Sequence, residues 1–158
     1  METETAPQWL TDEEQCAWRT HVEVNRMLTY QLEKDLQPFN LTMNDYDILV
    51  HLSESDDHRM RMSDLAAATL QSKSRLSHQI TRMENAGLVR RENCESDRRG
   101  LFTVLTDEGM ETMKRVAPHH VASVRQHFVD LISPEALSDL HKALTPIAEH
   151  LRGLRGKP

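Results

Sequence analysis

Residues 72–105, SKSRLSHQITRMENAGLVRRENCESDRRGLFTVL, decide the fold of this chain. Ser72 is a favourable N-cap residue for a helix. Three apolar residues then recur at helical spacing: Leu76, Ile80 and Met83. Gly87 stands where a helix C-terminus favours a left-handed residue, so the helix is predicted to end there.

The sequence changes period directly after Gly87. Residues 88–92 and 101–105 predict two strands, and the polar residues 94–100 predict the tip of the hairpin that joins them. Upstream of this helix, Ser63 is predicted to cap another short helix. Two short helices followed by a basic hairpin predict a winged helix-turn-helix.

Long helices are predicted on both sides of this unit. A capping-box pattern begins a helix at residues 11–36, and Thr42 caps a second helix that extends through Glu54. Downstream, Thr106 caps a helix to about residue 131, and residues 133–135 begin the last helix with a cap, a proline and an acid.

The predicted fold class is therefore mainly α with a small β-hairpin wing. Residues 41–106 form the winged helix-turn-helix DNA-binding region of this interpretation. Residues 1–40 and 107–158 form a helical dimerisation region, and both regions belong to one continuous domain.

Composition excludes several classes of protein. The sequence contains no run of about 18 apolar residues, so no membrane span is predicted. The acidic N-terminal stretch does not resemble a signal peptide. The motifs of nucleotide-binding loops, serine hydrolases and zinc proteases are missing, so we expect no enzyme. No cofactor and no metal site are predicted, and the expected location is cytoplasmic.

The charge is distributed unevenly. The chain carries a net charge of −6, but residues 59–100 hold nine Lys and Arg against five acids. A basic face on an acidic body attracts phosphates through its local field. The alternative is chance clustering of charges on solvated surfaces.

The outer face of the predicted helix after Ser72 suits DNA. Its first eleven residues after the cap contain no acid, and Arg, Gln, Ser and His side chains can hydrogen-bond to base edges or phosphates. The candidate contacts are Ser72, Lys73, Ser74, Arg75, Ser77, His78, Gln79 and Arg82. The alternative is a solvated amphipathic helix without a ligand.

The predicted hairpin tip carries Asp97, Arg98 and Arg99. Arginines on a protruding ribbon suit a narrow minor groove, whose negative potential attracts guanidinium groups. A surface turn with arbitrary charges is an equally acceptable interpretation of the tip alone.

From Leu41 to about Ile147 the chain resembles the MarR family of multiple-antibiotic-resistance-type regulators. Five segments carry the resemblance: MSDLA (62–66), SRLSH (74–78), MENAGLV (83–89), SDRRG (96–100) and LTDEG (105–109). The resemblance implies that the helix after Ser72 enters the major groove of double-stranded DNA and that Arg99 enters the minor groove beside Asp97. It also implies a homodimer on a pseudo-palindromic operator, usually acting as a repressor, and often a small phenolic or metabolite effector.

Apolar residues near both ends support a dimer independently. The candidate interface residues are Trp9, Leu10, Phe128, Leu131, Leu137, Leu140, Leu144 and Ile147. Packing within one chain is the alternative for part of this set.

Three aromatic residues, Trp18, His21 and Tyr46, are candidates for an effector pocket, although filling of a helix junction is the simpler interpretation. Cys16 and Cys94 leave a redox-sensing regulator open. A non-specific architectural DNA-binding protein is a further alternative, which salt dependence would distinguish from an operator-binding protein.

Overall fold

The computed structural model describes the backbone of residues 8–94 and 97–155, and the side chains of all of these except 94 and 97–99. The elements in these residues are, in order, α1 (Asp12–Leu36), α2 (Met43–Glu54), β1 (Arg59–Arg61), α3 (Met62–Ala68), α4 (Lys73–Asn85), β2 (Val89–Cys94), β3 (Asp97–Leu105), α5 (Asp107–His127) and α6 (Pro134–Arg155). The predicted fold class, mainly α with a β-hairpin wing, is confirmed.

Local capping determines where the first two helices begin. The Thr11 hydroxyl accepts a hydrogen bond from the Glu14 backbone N–H, and the Glu14 carboxylate accepts one from the Thr11 N–H. Thr42 and Asp45 form the same reciprocal box at the start of α2. Both predicted starts are therefore confirmed, because a capping box satisfies amides that the helix itself leaves free.

The sheet has three antiparallel strands in the order β1-β3-β2. Strand β1 was not predicted from the sequence, since three residues are too few to show a period and the strand depends on pairing with residues 102–104 of β3. The predicted Ser63 cap is wrong: α3 begins one residue earlier, and the Ser63 hydroxyl donates to the Asp64 carboxylate.

Two predicted boundaries differ from the structure. The strands of the hairpin extend to Cys94 and begin again at Asp97, so much of the predicted tip is strand. The polar sequence of this ribbon has no apolar alternation, and a register shift lies between Asn93 and Cys94. Helix α5 ends at His127 rather than near residue 131, because Phe128 leaves the helical region with φ −144° and ψ −65°.

The hydrophobic core lies between α2, α3, α4 and the inner face of the sheet. Its most deeply buried members are Leu36, Ile48, Leu49, Leu52, Leu65, Leu76, Ile80, Met83, Val89 and Val116. Val116 on α5 and Leu36 on α1 connect this core to the flanking helices. The DNA-binding region predicted from sequence therefore contains most of the buried apolar surface that stabilises the fold.

Helices α1 and α6 contribute little to this core. Leu36 is the one buried residue of α1, and none of the residues of α6 is buried. Near the end of α6, the Arg155 guanidinium donates to the backbone carbonyl of Ala67 in α3, so the end of α6 contacts α3. Among the helices of residues 8–94 and 97–155, none is both long and apolar enough to cross a membrane.

Candidate nucleic-acid interface

Helix α4 is held at both ends by local hydrogen bonds. The Ser72 hydroxyl accepts from the Arg75 backbone N–H at 3.2 Å. At the other end Gly87 has φ +77°, and the Leu88 N–H reaches the Met83 carbonyl at 3.0 Å. This is a Schellman motif, which needs a left-handed residue and so favours glycine. The predicted cap and stop of this helix are both confirmed.

The first half of α4 presents an exposed cationic face. Its exposed residues are Lys73, Ser74, Arg75, Ser77 and His78, with Ser72 exposed before them. The first turn contains no acid. Within the part of the chain that the structure describes, neither Lys73 nor Arg75 has an ion-pair partner. Cations that have no ion-pair partner at a helix start are available to bind phosphates or bases.

The structure places Gln79 and Arg82 differently from the other candidates. Gln79 Nε2 donates to Asp45 Oδ1 at 3.0 Å, and Arg82 Nη2 donates to the same oxygen at 2.5 Å. Asp45 belongs to α2 and is fully buried. This network was not predicted from the sequence, because Gln79 and Arg82 lie 34 and 37 residues after Asp45.

Hydrogen bonds keep Asp45 ionised. Burial alone would raise the pKa of this carboxyl, but the bonds from Arg82, Thr42 and Gln79 together outweigh burial and lower the pKa below its ordinary value. The charge that is taken out of water is therefore paired, as a buried carboxylate requires.

Arg91 of β2 joins the wing to α4. Its guanidinium donates to the Glu84 carboxylate at 2.6 Å, to the Ser77 carbonyl at 2.8 Å and to the Thr81 hydroxyl at 2.9 Å. The Arg91 backbone N–H also donates to Glu84. This contact was not predicted, and it fixes the wing against the middle of the helix.

Two further arginines lie on the outer face of the sheet. Arg59 and Arg61 place their guanidinium carbons 5.0 and 5.4 Å from the centre of the Phe102 ring. Both distances are within the range of cation–π contacts. The predicted tip residues Asp97, Arg98 and Arg99 begin β3, but their side chains lie outside the described residues.

The candidate effector residues fall into two separate contacts. Trp18 stacks on His21 at 6.0 Å between ring centres, and the Trp18 side chain is largely exposed. Tyr46 is buried and packs against His120 of α5. Trp18 lies seventeen positions before Asp35, which accepts a hydrogen bond from Ser123 of α5, so roughly 25 Å of helix separates Trp18 from that contact of α1 with α5. Within one protomer, the three residues do not line one pocket.

The cysteines and histidines are placed separately among the described residues. Cys16 is an exposed free thiol on α1, and the side chain of Cys94 lies outside the described residues. Among the residues that the structure describes, no group of three or more His, Cys, Asp or Glu is arranged to hold a metal ion.

Many candidate dimerisation residues are exposed in the single chain. Trp9 is 83%, Leu131 75% and Ile147 54% exposed, and Leu10 and Leu144 are also exposed. The remaining three, Phe128, Leu137 and Leu140, are half-buried and line a groove between the end of α5 and α6. Exposed apolar side chains grouped beside an apolar groove are typical of protein–protein contacts.

The short helices α3 and α4, the core beneath them and the hairpin fixed against α4 define a winged helix-turn-helix protein. The model of the MarR family matches residues 39–100. Over 135 residues the chain is 31% identical to the HTH-type transcriptional regulator PecS of Dickeya dadantii. The aligned region covers 85% of this chain and 74% of PecS.

Solved structures agree with this match. The chain is similar to AbsC, a MarR family transcriptional regulator from Streptomyces coelicolor, with 80% identity and a TM-score of 0.89 over 93% of this chain and 99% of AbsC. It is also similar to Sco3205 of the same organism, solved in complex with DNA, with 43% identity and a TM-score of 0.88 over 94% and 93% of the two chains. The chain belongs to the MarR family of transcriptional regulators, which confirms the resemblance found in the sequence.

Proposed function

We propose that the protein is a homodimeric, sequence-specific repressor that binds a pseudo-palindromic operator. The first half of α4, residues 72–78, reads bases and contacts phosphates in the major groove, and Arg99 of the wing enters the minor groove. The observation that carries this proposal is the exposed, acid-free start of α4, where Lys73 and Arg75 have no ion-pair partner among the described residues. The DNA complex of the similar regulator Sco3205 supports the same partner.

The proposed dimer forms through α1, α5 and α6. Support comes from the exposed Leu144 and Ile147 and from the groove beside Phe128, which together leave a long apolar face without a partner in one chain. Covering such a face with a second copy removes its apolar surface from water. A two-fold axis then places two α4 helices about 34–36 Å apart, which is one turn of DNA.

We further propose a small aromatic or metabolite effector that releases the operator. Two structural neighbours with the same fold are described with a bound small molecule, RdhR-CbdbA1625 with 2,4-dichlorophenol and CouR with p-coumaroyl-CoA. In this chain, the contact of Tyr46 with His120 is the place where such a ligand would act on both α2 and α5.

Selection of bound fragments from randomised duplex DNA tests the operator proposal. It is run with the wild-type protein and with a Lys73→Ala, Arg75→Ala variant, at about physiological salt, where non-specific binding is weak. We expect the wild type to enrich an inverted repeat with half-sites one turn apart, and the variant to enrich nothing. Equal, unselective binding by both proteins would contradict sequence-specific reading and favour an architectural role.

A further inference from the structure

We propose that Asp45 is a positioning residue for DNA reading: it holds α4 through Arg82 and Gln79, so that these two side chains act on DNA through Asp45 and not as base readers. This inference rests on the proposed operator binding and assigns to three residues of that site a role that the sequence did not predict.

The two oxygens of the Asp45 carboxylate serve different helices. Oδ2 accepts from the Thr42 backbone N–H at 2.9 Å and from the Thr42 hydroxyl at 2.8 Å, which caps α2. Oδ1 accepts from Gln79 and Arg82, which belong to α4. One carboxylate therefore joins the start of α2 to the second half of α4.

Because Asp45 is buried, its carboxylate must keep its hydrogen-bond partners. Asp45 has no exposed surface, so removing its partners would leave an unpaired charge out of water. The two hydrogen bonds from Gln79 and Arg82 to Oδ1 also limit how far α4 can rotate about its own axis. Lys73, Arg75 and His78 project from the same rigid helix, so the rotation that Asp45 fixes also sets the direction in which they point.

The arrangement changes what Gln79 is able to do. One N–H of its Nε2 donates to Asp45, which turns the amide towards α2, whereas bidentate pairing with adenine needs the same amide to face a base edge. Arg82 is 53% exposed along its side chain but directs Nη2 inward to the carboxylate. The base-reading set therefore contracts to the first half of α4.

Operator affinity and its salt dependence test this assignment. The variants are Asp45→Asn, Arg82→Ala and the double variant, with Lys73→Ala as a matched loss of one cation that faces DNA. Asp45→Asn keeps the size of the side chain and an oxygen for the cap. We expect each single variant at Asp45 or Arg82 to lower operator affinity by roughly tenfold. The double variant should lose no more affinity than the single variant with the larger loss, as coupled residues do.

The salt slope separates positioning from direct contact. Log affinity falls linearly with log salt concentration. Arg82→Ala should leave the steepness of this fall unchanged, whereas Lys73→Ala should make the fall shallower by about one. The proposal would be overturned by any of three results. These are a shallower salt dependence for Arg82→Ala, affinity losses that add in the double variant, and full affinity for a folded Asp45→Asn protein.

Gln79→Ala keeps the experiment decisive if Asp45→Asn does not fold, because Arg82 still pairs with the carboxylate. We expect a smaller loss of affinity that is equal for all single-base operator variants. A changed preference at one base pair would instead make Gln79 a base reader and overturn the assignment. If the wild type itself shows no operator preference, the proposed function fails, and that result is distinct from any of these.

Discussion

The rings of Tyr46 and His120 pack with their centres 4.3 Å apart and their planes tilted by 42°. This pair joins α2 to α5 one residue after Asp45, which binds α4. Helix α2 therefore contacts α4 and α5 through neighbouring side chains. His120 Nδ1 is buried and has no hydrogen-bond partner among the described residues. Burial lowers the pKa of His120 below its ordinary value, because the charged imidazolium loses hydration.

The lowered pKa of His120 predicts a stability that depends on pH. The unfolded chain takes up this proton near pH 6.5, and the folded chain does so only at lower pH. The contribution to stability is therefore complete above pH 6.5 and is lost as the pH falls through the folded-state pKa. We expect His120→Gln to flatten the fall in urea midpoint below pH 6.5. Equal pH profiles for the wild type and His120→Gln would contradict the prediction.

Gly109 at the start of α5 lies too close to the sheet to accept a side chain. An added Cβ would overlap the Leu88 carbonyl oxygen and lie 2.7 Å from Leu105 Cδ1. Gly109→Ala should therefore lower the free energy of unfolding by about 1–3 kcal/mol, the usual cost of overpacking. Gly153 on α6 has open space around its Cα, so Gly153→Ala is the matched control. Urea denaturation measures both, and equal stabilities would show that α5 can shift without cost.

The contact between Arg91 and Glu84 fixes the wing against α4. Arg91→Ala removes three side-chain contacts from a partly buried site and should lower the free energy of unfolding by about 1–3 kcal/mol. The neighbouring Arg90 is half exposed and pairs with Glu92, so Arg90→Ala should change stability by about 0–1 kcal/mol. Chemical denaturation followed by circular dichroism compares the two variants. A loss as small for Arg91→Ala as for Arg90→Ala would mean that the wing needs no such contact.

A charge on the apolar face of α6 should separate the proposed dimer. Ile147 is 54% exposed in one chain, so Ile147→Glu is tolerated by the monomer but buries a charge in the dimer interface. We expect the variant to sediment as a monomer at concentrations where the wild type is a dimer. Leu70→Glu, at a residue that is 71% exposed between α3 and α4, is the control for the added charge. A dimeric Ile147→Glu protein would place the interface elsewhere.

Local signals predicted the elements that local interactions create. Ser72, Gly87 and the capping boxes gave correct helix ends, because each satisfies amides or carbonyls within a few residues of itself. Strand β1 could not be predicted, since its three residues depend on pairing with β3, more than forty positions away. The same holds for the site. The cationic start of α4 was visible in the sequence, whereas the contacts of Asp45 with Gln79 and Arg82 come from tertiary packing.

The spacing of operator half-sites tests most directly whether two copies of α4 read DNA together. An insertion of about five base pairs, half of the 10–10.5 bp turn, moves one half-site to the opposite face of the duplex. Fluorescence anisotropy at about physiological salt compares the selected operator, the inserted operator and a scrambled duplex. The proposed symmetric dimer predicts that the inserted operator binds no better than the scrambled duplex. Unchanged affinity for the inserted operator would contradict it, because a rigid pair of α4 helices cannot contact both half-sites at that spacing.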